Sequence, residues 1–380
     1  MEQFTPYKAT QISRALRHWF ASNARDLPWR NTQDPYKIWL SEIILQQTRV
    51  DQGMSYYYRF TELFPTVADL ANADINAVLK AWEGLGYYSR ARNLHRAAQV
   101  ICREMGGKLP ADYQKLLSLP GVGRYTAGAV ASFAFGLPVP AVDGNVLRVM
   151  SRIGGYEIEI DTPAGLRFYH SVADELLDKR HPAAFNQAIM ELGALVCVPK
   201  QPDCPLCPLS RLCAVAFSPV AAQLPKKKGK MKVEEVALAF LLVTDAVGRT
   251  LLAQRPHKGI WAALYQPLPL KELPQNALSG DATGKNANGA RQVSLSELRR
   301  WLSRTPLPTT ASSLPHFTFR ALPAFQHRLT HRLLTIRLFH LHFPDASLPQ
   351  EWIAQGYAAY PLDALPALPI PLKRAIDSLF

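Results

Sequence analysis

Four of the five cysteines lie in one short stretch, spaced Cys197-x6-Cys204-x2-Cys207-x5-Cys213. Four thiolates supplied by so short a segment can hold a tetrahedral zinc ion or a cubane iron–sulfur cluster. Zinc sites usually present two CxxC pairs, but only Cys204 and Cys207 form one here, and the longer arms favour a loop around a larger group. The spacing predicts a metal centre, with iron–sulfur ahead of zinc, while Cys102 is interpreted as a packed apolar residue.

Glu42 is a carboxylate in apolar surroundings. Its neighbours on a predicted helix, at i−4, i−3 and i+3, are Ile38, Trp39 and Leu45. Ionising a carboxyl group on an apolar face is costly, so its pKa should rise and it could donate a proton near neutral pH. The alternative is a solvated helix glutamate.

Asp143 is a second carboxylate with a possible chemical role. It follows Pro138-Val139-Pro140-Ala141-Val142 and precedes a predicted helix, so its simplest role is that of an N-cap. An aspartate at such a position can also project into a cleft as a fixed negative charge. One neutral and one ionised carboxyl group are the pair needed to break a glycosidic bond.

The segment Leu119-Pro120-Gly121-Val122-Gly123 predicts a hairpin between two helices. Such a turn directs backbone N–H groups outward at a helix N-terminus, which suits a phosphate, and Arg124 adds positive charge beside it. Small residues in the following helix, from Tyr125 to Ala131, permit close packing. A helix–turn–helix corner without a ligand is the alternative interpretation.

The charge of the chain indicates a polyanionic partner. The 380 residues carry a formal net charge of +13, and residues 226–380 hold 20 Lys and Arg against 10 Asp and Glu. Such an excess is typical of proteins that bind nucleic acid, although it also keeps proteins soluble. The N-terminal residues lack a signal-peptide layout and no apolar run is long enough to span a bilayer, so we expect a cytoplasmic protein that does not contact membranes.

Periodicity divides the chain into two parts. Before residue 230 the pattern predicts only helices: one carries the apolar stripe from Ile12 to Phe20, one begins at Pro35, and others lie at about 74–82, 89–105, 112–117, 125–135, 145–153, 165–178 and 184–195. Residues 219–232 contain a basic linker. Beyond it, the pattern predicts strands at Val236–Thr244, Thr250–Gln254 and Leu333–Phe343, and a turn at Asp245–Gly248. It also predicts a short helix at Leu295–Leu302 and mobile loops at 274–290 and 303–315.

Together these features resemble one family, the helix-hairpin-helix DNA glycosylases with an iron–sulfur cluster, and within it the adenine-specific MutY type. The resemblance extends over nearly all of residues 7–216. It rests on the motifs LPWR (27–30), SEIILQQT (41–48), WEGLGYYSRARNLH (82–95), LPGVGRYTAG (119–128), AVDGNVLRV (141–149) and FNQAIMELGALVC (185–197), and on the four cysteines. Glu42 matches the adenine-specific glutamate, and Tyr125 stands where bifunctional lyases carry a lysine.

The resemblance implies a role for each motif residue. It implies a [4Fe-4S] cluster on the four cysteines and allows a monovalent cation at the hairpin. It implies four catalytic residues, a pocket for a flipped adenine, and contacts to DNA and to the opposing lesion. The implied catalytic residues are Glu42, Asp143, Tyr125 and Asn145. The implied adenine pocket consists of Arg25, Leu27, Trp29, Arg30 and Gln187. The implied contacts to DNA and to the lesion are Gln47, Thr48, Leu85, Tyr87, Gly121, Gly123, Arg124, Thr330 and His331.

The second part is similar to the MutT-like, Nudix-fold domain with which this family recognises 8-oxoguanine. Leu251–Arg255 and Gly259–Trp261 carry the similarity, but the metal-binding Nudix box is missing, so a reader and not a hydrolase is implied. The recognition loop of the family maps to Leu329-Thr330-His331. Thr330 keeps a hydroxyl, whereas Leu329 replaces an aromatic ring.

The sequence therefore predicts a multidomain protein. We expect an all-α helix-hairpin-helix glycosylase domain with the cluster loop over 1–218, a linker over 219–232, and an α+β MutT-like domain over 233–380. The implied function is monofunctional excision of adenine opposite 8-oxoguanine, and more weakly opposite guanine, by a monomer in duplex DNA. The alternatives are a bifunctional thymine-glycol-type glycosylase, a non-enzymatic iron–sulfur protein that binds nucleic acid, and a nucleotide-pool hydrolase.

Overall fold

The computed structural model describes residues 4–229, 233–270, 316–348, 350–353 and 356–380. The chain forms two compact units. The helical unit comprises Met1–Ala81 and Ser89–Lys230, and the sheet unit comprises Trp82–Tyr88 and Met231–Phe380. The predicted helix at 295–302 and the predicted loops at 274–290 and 303–315 lie outside the described residues.

In the described part of the helical unit the regular elements are helical, as predicted. Two helices without a predicted counterpart, α3 and α4, follow α2. The α-helices are α1 (Pro6–Asn23), α2 (Pro35–Leu45), α3 (Val50–Leu63), α4 (Val67–Asn72), α5 (Ile75–Ala81), α6 (Ser89–Glu104), α7 (Tyr113–Leu117), α8 (Arg124–Phe135), α9 (Gly144–Gly154), α10 (Pro163–Leu176) and α11 (Pro182–Leu195), with short 3-10 helices at Pro28–Arg30 and Pro219–Gln223.

Helix α2 lies inside the unit. The side chain of Asp34 accepts a hydrogen bond from the Tyr36 N–H group, and Pro35 occupies the first turn, where no N–H donor is needed. All residues from Tyr36 to Ile44 except Lys37 are buried, among them Trp39 and Leu40. A helix that is buried on all sides must place any polar side chain in the interior, and this is the position of Glu42.

The predicted hairpin joins α7 to α8. Gly121 adopts φ 77°, and a Cβ atom there would lie 2.6 Å from the Asn93 Cβ atom. Both the left-handed backbone and the close approach therefore require glycine. The small residues of α8 pack as predicted: a Cβ atom at Gly128 would lie 2.3 Å from the Pro140 carbonyl oxygen. The segment that leads to Asp143 is held directly against α8.

The sheet unit is α+β, as predicted. Its long strands, β1 and β7, pair in parallel from Glu234 with Arg332 to Asp245 with Phe343. The described strands are β1 (Glu234–Asp245), β2 (Arg249–Gln254), β3 (Tyr265–Gln266), β4 (Leu268–Pro269), β5 (Thr318–Ala321), β6 (Phe325–Arg328), β7 (Arg332–Phe343) and β8 (Ala358–Pro361). They form one sheet in the order β3-β2-β1-β7-β5, with β4 on β1, β6 on β7 and β8 on β2.

The sheet has a hydrophobic core on each face. Leu241 and Val243 of β1 enter one core, whereas Phe240 and Leu242 enter the other. This explains the nearly continuous apolar run in β1, because a strand covered on both faces needs apolar residues at odd and even positions. Helices α12 (Gln350–Ile353) and α13 (Ile370–Asp377) complete the unit. Within the described residues, we find no helix with the length and apolar character needed to cross a bilayer.

Candidate active site and cysteine centre

A cavity of about 640 Å³ in the helical unit contains the predicted chemistry. The four residues predicted to be catalytic line it together with the five predicted for an adenine pocket, and Thr48 lies at the same cavity. These residues come from the 3-10 helix and its preceding loop, from α2, α8, α9 and α11. They are Arg25, Leu27, Trp29, Arg30, Glu42, Tyr125, Asp143, Asn145 and Gln187.

Glu42 is a buried carboxyl group that lines the cavity. Its side chain is 6 % exposed, and its Oε2 atom accepts a hydrogen bond of 2.5 Å from the Tyr125 hydroxyl group. Burial raises the pKa of Glu42 to about 7; the nearby charge of Asp143 also raises it, while the bond from Tyr125 and the charge of Arg30 lower it. The rise predicted from the apolar helix face is confirmed. A carboxyl group with this pKa can give up a proton near neutral pH.

Asp143 is held rigidly at the start of α9. One carboxylate oxygen accepts from the Val146 N–H group at 2.8 Å, which confirms the predicted N-cap, and the other accepts from the Asn145 amide at 2.9 Å. Burial raises the pKa of Asp143, and these hydrogen bonds oppose the rise. Arg148 in turn donates to the Asn145 side-chain oxygen at 2.8 Å and so fixes the orientation of that amide.

A second buried glutamate, Glu191 on α11, orders the opposite wall. Its carboxylate accepts from the Nε and Nη2 atoms of Arg25 at 2.9 and 2.8 Å, and from Nη1 and Nη2 of Arg30 at 3.1 and 2.9 Å. Burial alone would raise the pKa of Glu191, but the hydrogen bonds from both arginines outweigh it and lower the pKa to about 2. The two predicted pocket arginines are thereby clamped by one anion.

Buried hydrogen bonds hold the segment before Asp143 between two helices. The Asn186 amide of α11 donates to the Ser132 hydroxyl of α8 and to the Val139 carbonyl oxygen, both at 2.9 Å. Its side-chain oxygen accepts from the Ala141 N–H group at 3.2 Å. The position of Asp143 is therefore set by α8 and α11, far along the chain from each other.

Arg90 of α6 fixes the end of α2. Its Nη1 atom donates to the carbonyl oxygens of Ile43, Ile44 and Gln46 at 2.9, 2.8 and 2.5 Å, which satisfies acceptors that a helix end leaves without partners. Directly after this clamp Gln47 is exposed and adopts φ 57°. A left-handed backbone at a non-glycine residue is unfavourable and concentrates at functional positions.

The remaining predicted DNA contacts lie in two places. Gly121, Gly123 and Arg124 are exposed at the hairpin in the helical unit. The other four belong to the sheet unit: the Tyr87 hydroxyl lies 2.5 Å from the Thr330 hydroxyl, Leu85 is buried, and His331 is exposed between β6 and β7. Tyr87 also has a positive φ, 48°.

The four clustered cysteines line a second, small cavity. All are free thiols, so each sulfur atom is available as a ligand. Among the residues that the structure describes, no three cysteine, histidine or acidic side chains converge as they would around a single metal ion. The four sulfur atoms around one cavity are a donor set of the kind that holds a thiolate-bound metal centre.

Sequence reasoning missed several arginine and glutamate side chains that organise these sites. Glu191 lies four residues after Gln187 on α11, so helical spacing alone places both on one face. Arg148 lies three residues after Asn145 by the same rule. Arg90 and Arg152 had no comparable signal, because their acceptors are backbone carbonyl groups distant in sequence.

The comparisons with known proteins agree with this geometry. Residues 40–167 match the model of the HhH-GPD superfamily base excision DNA repair proteins. The adenine DNA glycosylase of Rattus norvegicus is 34% identical over 87% of this chain and 71% of the relative. The human adenine DNA glycosylase is 32% identical over 92% of this chain and 71% of the relative. The chain belongs to the adenine DNA glycosylase family.

Membership makes the chain an N-glycosylase, a hydrolase of base excision repair that acts on DNA. A bacterial member, from Buchnera aphidicola subsp. Baizongia pistaciae, is 34% identical over 66% of this chain and 72% of the relative. Among solved structures, a thermostable thymine-DNA glycosylase superposes with a TM-score of 0.51 at 29% identity, over 55% of this chain and 96% of that one. The helical unit accordingly has the glycosylase fold of the superfamily.

Proposed function

We propose that this chain excises adenine mispaired with 8-oxoguanine, and more weakly adenine opposite guanine, from duplex DNA. The observation that carries the chemistry is the pairing of Glu42, whose pKa is about 7, with Tyr125 in the cavity that also holds Asp143. The family supports adenine as the substrate base. The preference for 8-oxoguanine opposite the adenine rests on the similarity of residues 233–380 to the MutT-like reader domain.

The adenine leaves the base stack and enters the cavity. Extrusion costs less for a mispaired base, which gives some selectivity before any chemistry occurs. By the family resemblance, Gln47, which is exposed and has a left-handed backbone, fills or wedges the vacated space, and Thr48 lies against the opposing base. In the sheet unit, the exposed Tyr87 is a further candidate for contact with the DNA. Trp29 and Leu27 provide apolar surface for the flipped adenine.

Polar groups of the pocket fix the orientation of the base. Arg25 and Arg30 are immobilised on Glu191, so little side-chain entropy is lost when they meet the substrate. Gln187 lies on the same helix as Glu191 and offers both a donor and an acceptor.

Glu42 donates its proton to N7 of the adenine. Protonation turns the base into a better leaving group, and the hydrogen bond from Tyr125 holds the carboxyl group in place. Asp143 stabilises the oxocarbenium-like sugar through its charge or through a transient covalent bond. Asn145 keeps the Asp143 carboxylate oriented, and water completes the hydrolysis.

The reaction ends at an abasic site. A bifunctional lyase needs an amine for a Schiff base, but the corresponding position is Tyr125, whose hydroxyl group is already bonded to Glu42. This supports a monofunctional enzyme over the thymine-glycol-type alternative.

Cys197, Cys204, Cys207 and Cys213 would hold one [4Fe-4S] cluster in the cysteine cavity. Its contribution would be structural, because four ligands within residues 197–213 would fix the loop and its basic residues. The hairpin at Gly121, Gly123 and Arg124 binds a DNA phosphate, with a monovalent cation as an additional partner. The protein works as a monomer, in the cytoplasm, on the nucleoid.

The sheet unit acts as the 8-oxoguanine reader. The α+β fold, the contact between Tyr87 and Thr330, and the net charge of residues 226–380 support this role. Its MutT-like character without a Nudix box argues against a nucleotide-pool hydrolase.

Single-turnover cleavage of labelled duplexes with adenine opposite 8-oxoguanine, guanine or thymine tests the proposal. We expect an alkali-labile product on the adenine strand, fastest opposite 8-oxoguanine and absent opposite thymine. The double variant Thr330→Ala with His331→Ala should lose preference for 8-oxoguanine over guanine, while Thr318→Ala, an exposed threonine of β5, should keep it. Unchanged preference in the double variant would remove this loop from lesion recognition.

A further inference from the structure

Arg152 of α9 is a buried cation at the cysteine cavity. Its side chain is among the largest fully buried ones of the protein, at 1 % exposure. Its Nη1 atom lies 3.3 Å from the Cys197 Sγ atom and donates to the carbonyl oxygens of Cys197 and Val198 at 3.3 and 2.8 Å. Its Nη2 and Nε atoms donate to the carbonyl oxygens of Pro199 and Leu224 at 2.7 and 3.2 Å.

All these oxygen acceptors are neutral. In the part of the chain that the structure describes, no carboxylate forms an ion pair with Arg152. A second buried guanidinium group, that of Arg148, donates to the same Cys197 carbonyl oxygen at 2.8 Å. Two cations thus converge on one cysteine.

A buried charge is costly unless an opposite charge compensates it. The negative charge available at this position is that of the cysteine sulfur atoms. Four thiolates leave an iron–sulfur centre with net negative charge, and hydrogen bonds to its sulfur atoms help to set its reduction potential. The Cys197 sulfur atom is the one that Arg152 reaches.

We propose that Arg152 is the charge partner of the cluster, bound to the Cys197 sulfur atom, and that it raises the reduction potential of the cluster. This inference rests on the cofactor assigned under the proposed function. Arg152 also joins the start of the cysteine loop to the segment at Leu224, so that one guanidinium group couples the cluster to the chain that leads out of the helical unit. No redox step is needed for this role.

The sign of the effect follows from electrostatics. Oxidation makes the cluster less negative, and a cation beside the sulfur atom stabilises the more negative, reduced state. Loss of the charge therefore favours the oxidised state. A cluster that oxidises more easily also decays faster in air, because oxidation precedes the loss of iron.

The test compares wild-type protein with Arg152→Gln and Arg152→Lys, all full-length and purified anaerobically. Iron and sulfide content and the reduction potential by voltammetry are the readouts. We expect Arg152→Gln to shift the oxidised-to-reduced ratio at a given potential about tenfold toward oxidised, which corresponds to about 59 mV for one electron. Arg152→Lys keeps the charge and should lie between the two.

Arg211→Gln is the matched control, since Arg211 is exposed within the same cysteine loop and its change removes the same charge. Its potential should stay close to that of wild type. A ratio in Arg152→Gln within about twofold of wild type, with iron retained, would overturn the inference while leaving the cofactor intact. Wild-type protein without iron would overturn the cofactor assignment and this inference with it.

A measurement on the wild-type protein tests the contact even if the Arg152 variants do not fold. Protein labelled with ¹⁵N-arginine should show a nitrogen hyperfine coupling in pulsed EPR of the paramagnetic cluster, because the Nη1 atom lies 3.3 Å from the sulfur ligand. Absence of any arginine nitrogen coupling would contradict the proposed contact.

Discussion

Two walls of one cavity contain buried glutamates whose pKa values are shifted in opposite directions. Glu42, on α2, has a pKa raised by burial to about 7, whereas Glu191, on α11, has a pKa of about 2 despite its burial. The difference lies in the donors. A single neutral hydroxyl group, that of Tyr125, contacts Glu42, while two guanidinium groups surround Glu191. Burial creates the tendency to stay neutral, and the partners decide whether it prevails.

The comparison separates two tasks. The wall at Glu42 keeps a proton available beside the ionisable Asp143, as acid-assisted cleavage of a glycosidic bond requires. The wall at Glu191 keeps an anion that holds Arg25 and Arg30 in place. Substitution of Glu42 should therefore change mainly the excision rate, whereas substitution of Glu191 should change mainly the stability of the fold.

The largest effect is expected for Glu42→Gln. Glutamine retains the shape but has no acidic proton, so single-turnover excision of adenine should fall by about 10²- to 10⁴-fold, the usual contribution of a general acid. Glu62→Gln on the exposed face of α3 is the matched control and should excise like wild type. Excision by Glu42→Gln within a few fold of wild type would mean that this wall does not supply the proton.

A smaller effect on rate but a marked loss of stability is expected for Glu191→Gln. Two guanidinium groups would then lack their anion, which costs about 3 kcal/mol of unfolding free energy for a buried pair. Because the folded-state pKa of about 2 lies below the ordinary value of 4.5, this stabilisation is present above pH 4.5 and disappears as the pH falls toward 2. Denaturant midpoints of both proteins should therefore differ more at pH 7 than at pH 4.

Glu104→Gln, which removes an exposed ion pair with Arg103, serves as the stability control and should leave the midpoint nearly unchanged. A midpoint of Glu191→Gln equal to that of wild type at pH 7 would show that the arginines find another anion.

The smallest effect is expected for Tyr125→Phe. The hydrogen bond from Tyr125 lowers the pKa of Glu42, so its loss should move the alkaline limb of the pH–rate profile, near pH 7 in wild type, to higher pH. The maximal rate should change by about tenfold at most, the range of one hydrogen bond. Tyr58→Phe, at an exposed tyrosine, should leave the limb in place. A limb that moves to lower pH, or does not move, would mean that Tyr125 does not tune Glu42.

Much of the fold was accessible from local patterns. Helical periodicity and caps predicted α1, α2 and α5 to α11, and alternating apolar runs predicted β1, β2 and β7. Helix α3 was missed because Gly53 and four closely spaced aromatic residues obscure its period. Helix α4 is only six residues long, too short for a periodic signal.

The candidate site divides in a similar way. Glu42, Asp143 and the four cysteines were predicted from residue type and spacing, with a resemblance to one family to join them. The acidic partner of Arg25 and Arg30, Glu191, was not predicted, because it lies 166 residues from Arg25 along the chain. Arg90 and Arg152 were missed for the same reason, since they bind carbonyl groups of distant segments.

By itself, then, the sequence determined the helical and sheet units, the cysteine loop and the two candidate carboxyl groups, because each follows from residues near one another in the chain. Only the tertiary structure decided which buried carboxyl group keeps a proton and which stays charged. That outcome depends on donors from α8, from the loop before α2 and from the 3-10 helix, and no local pattern specifies which of them meet.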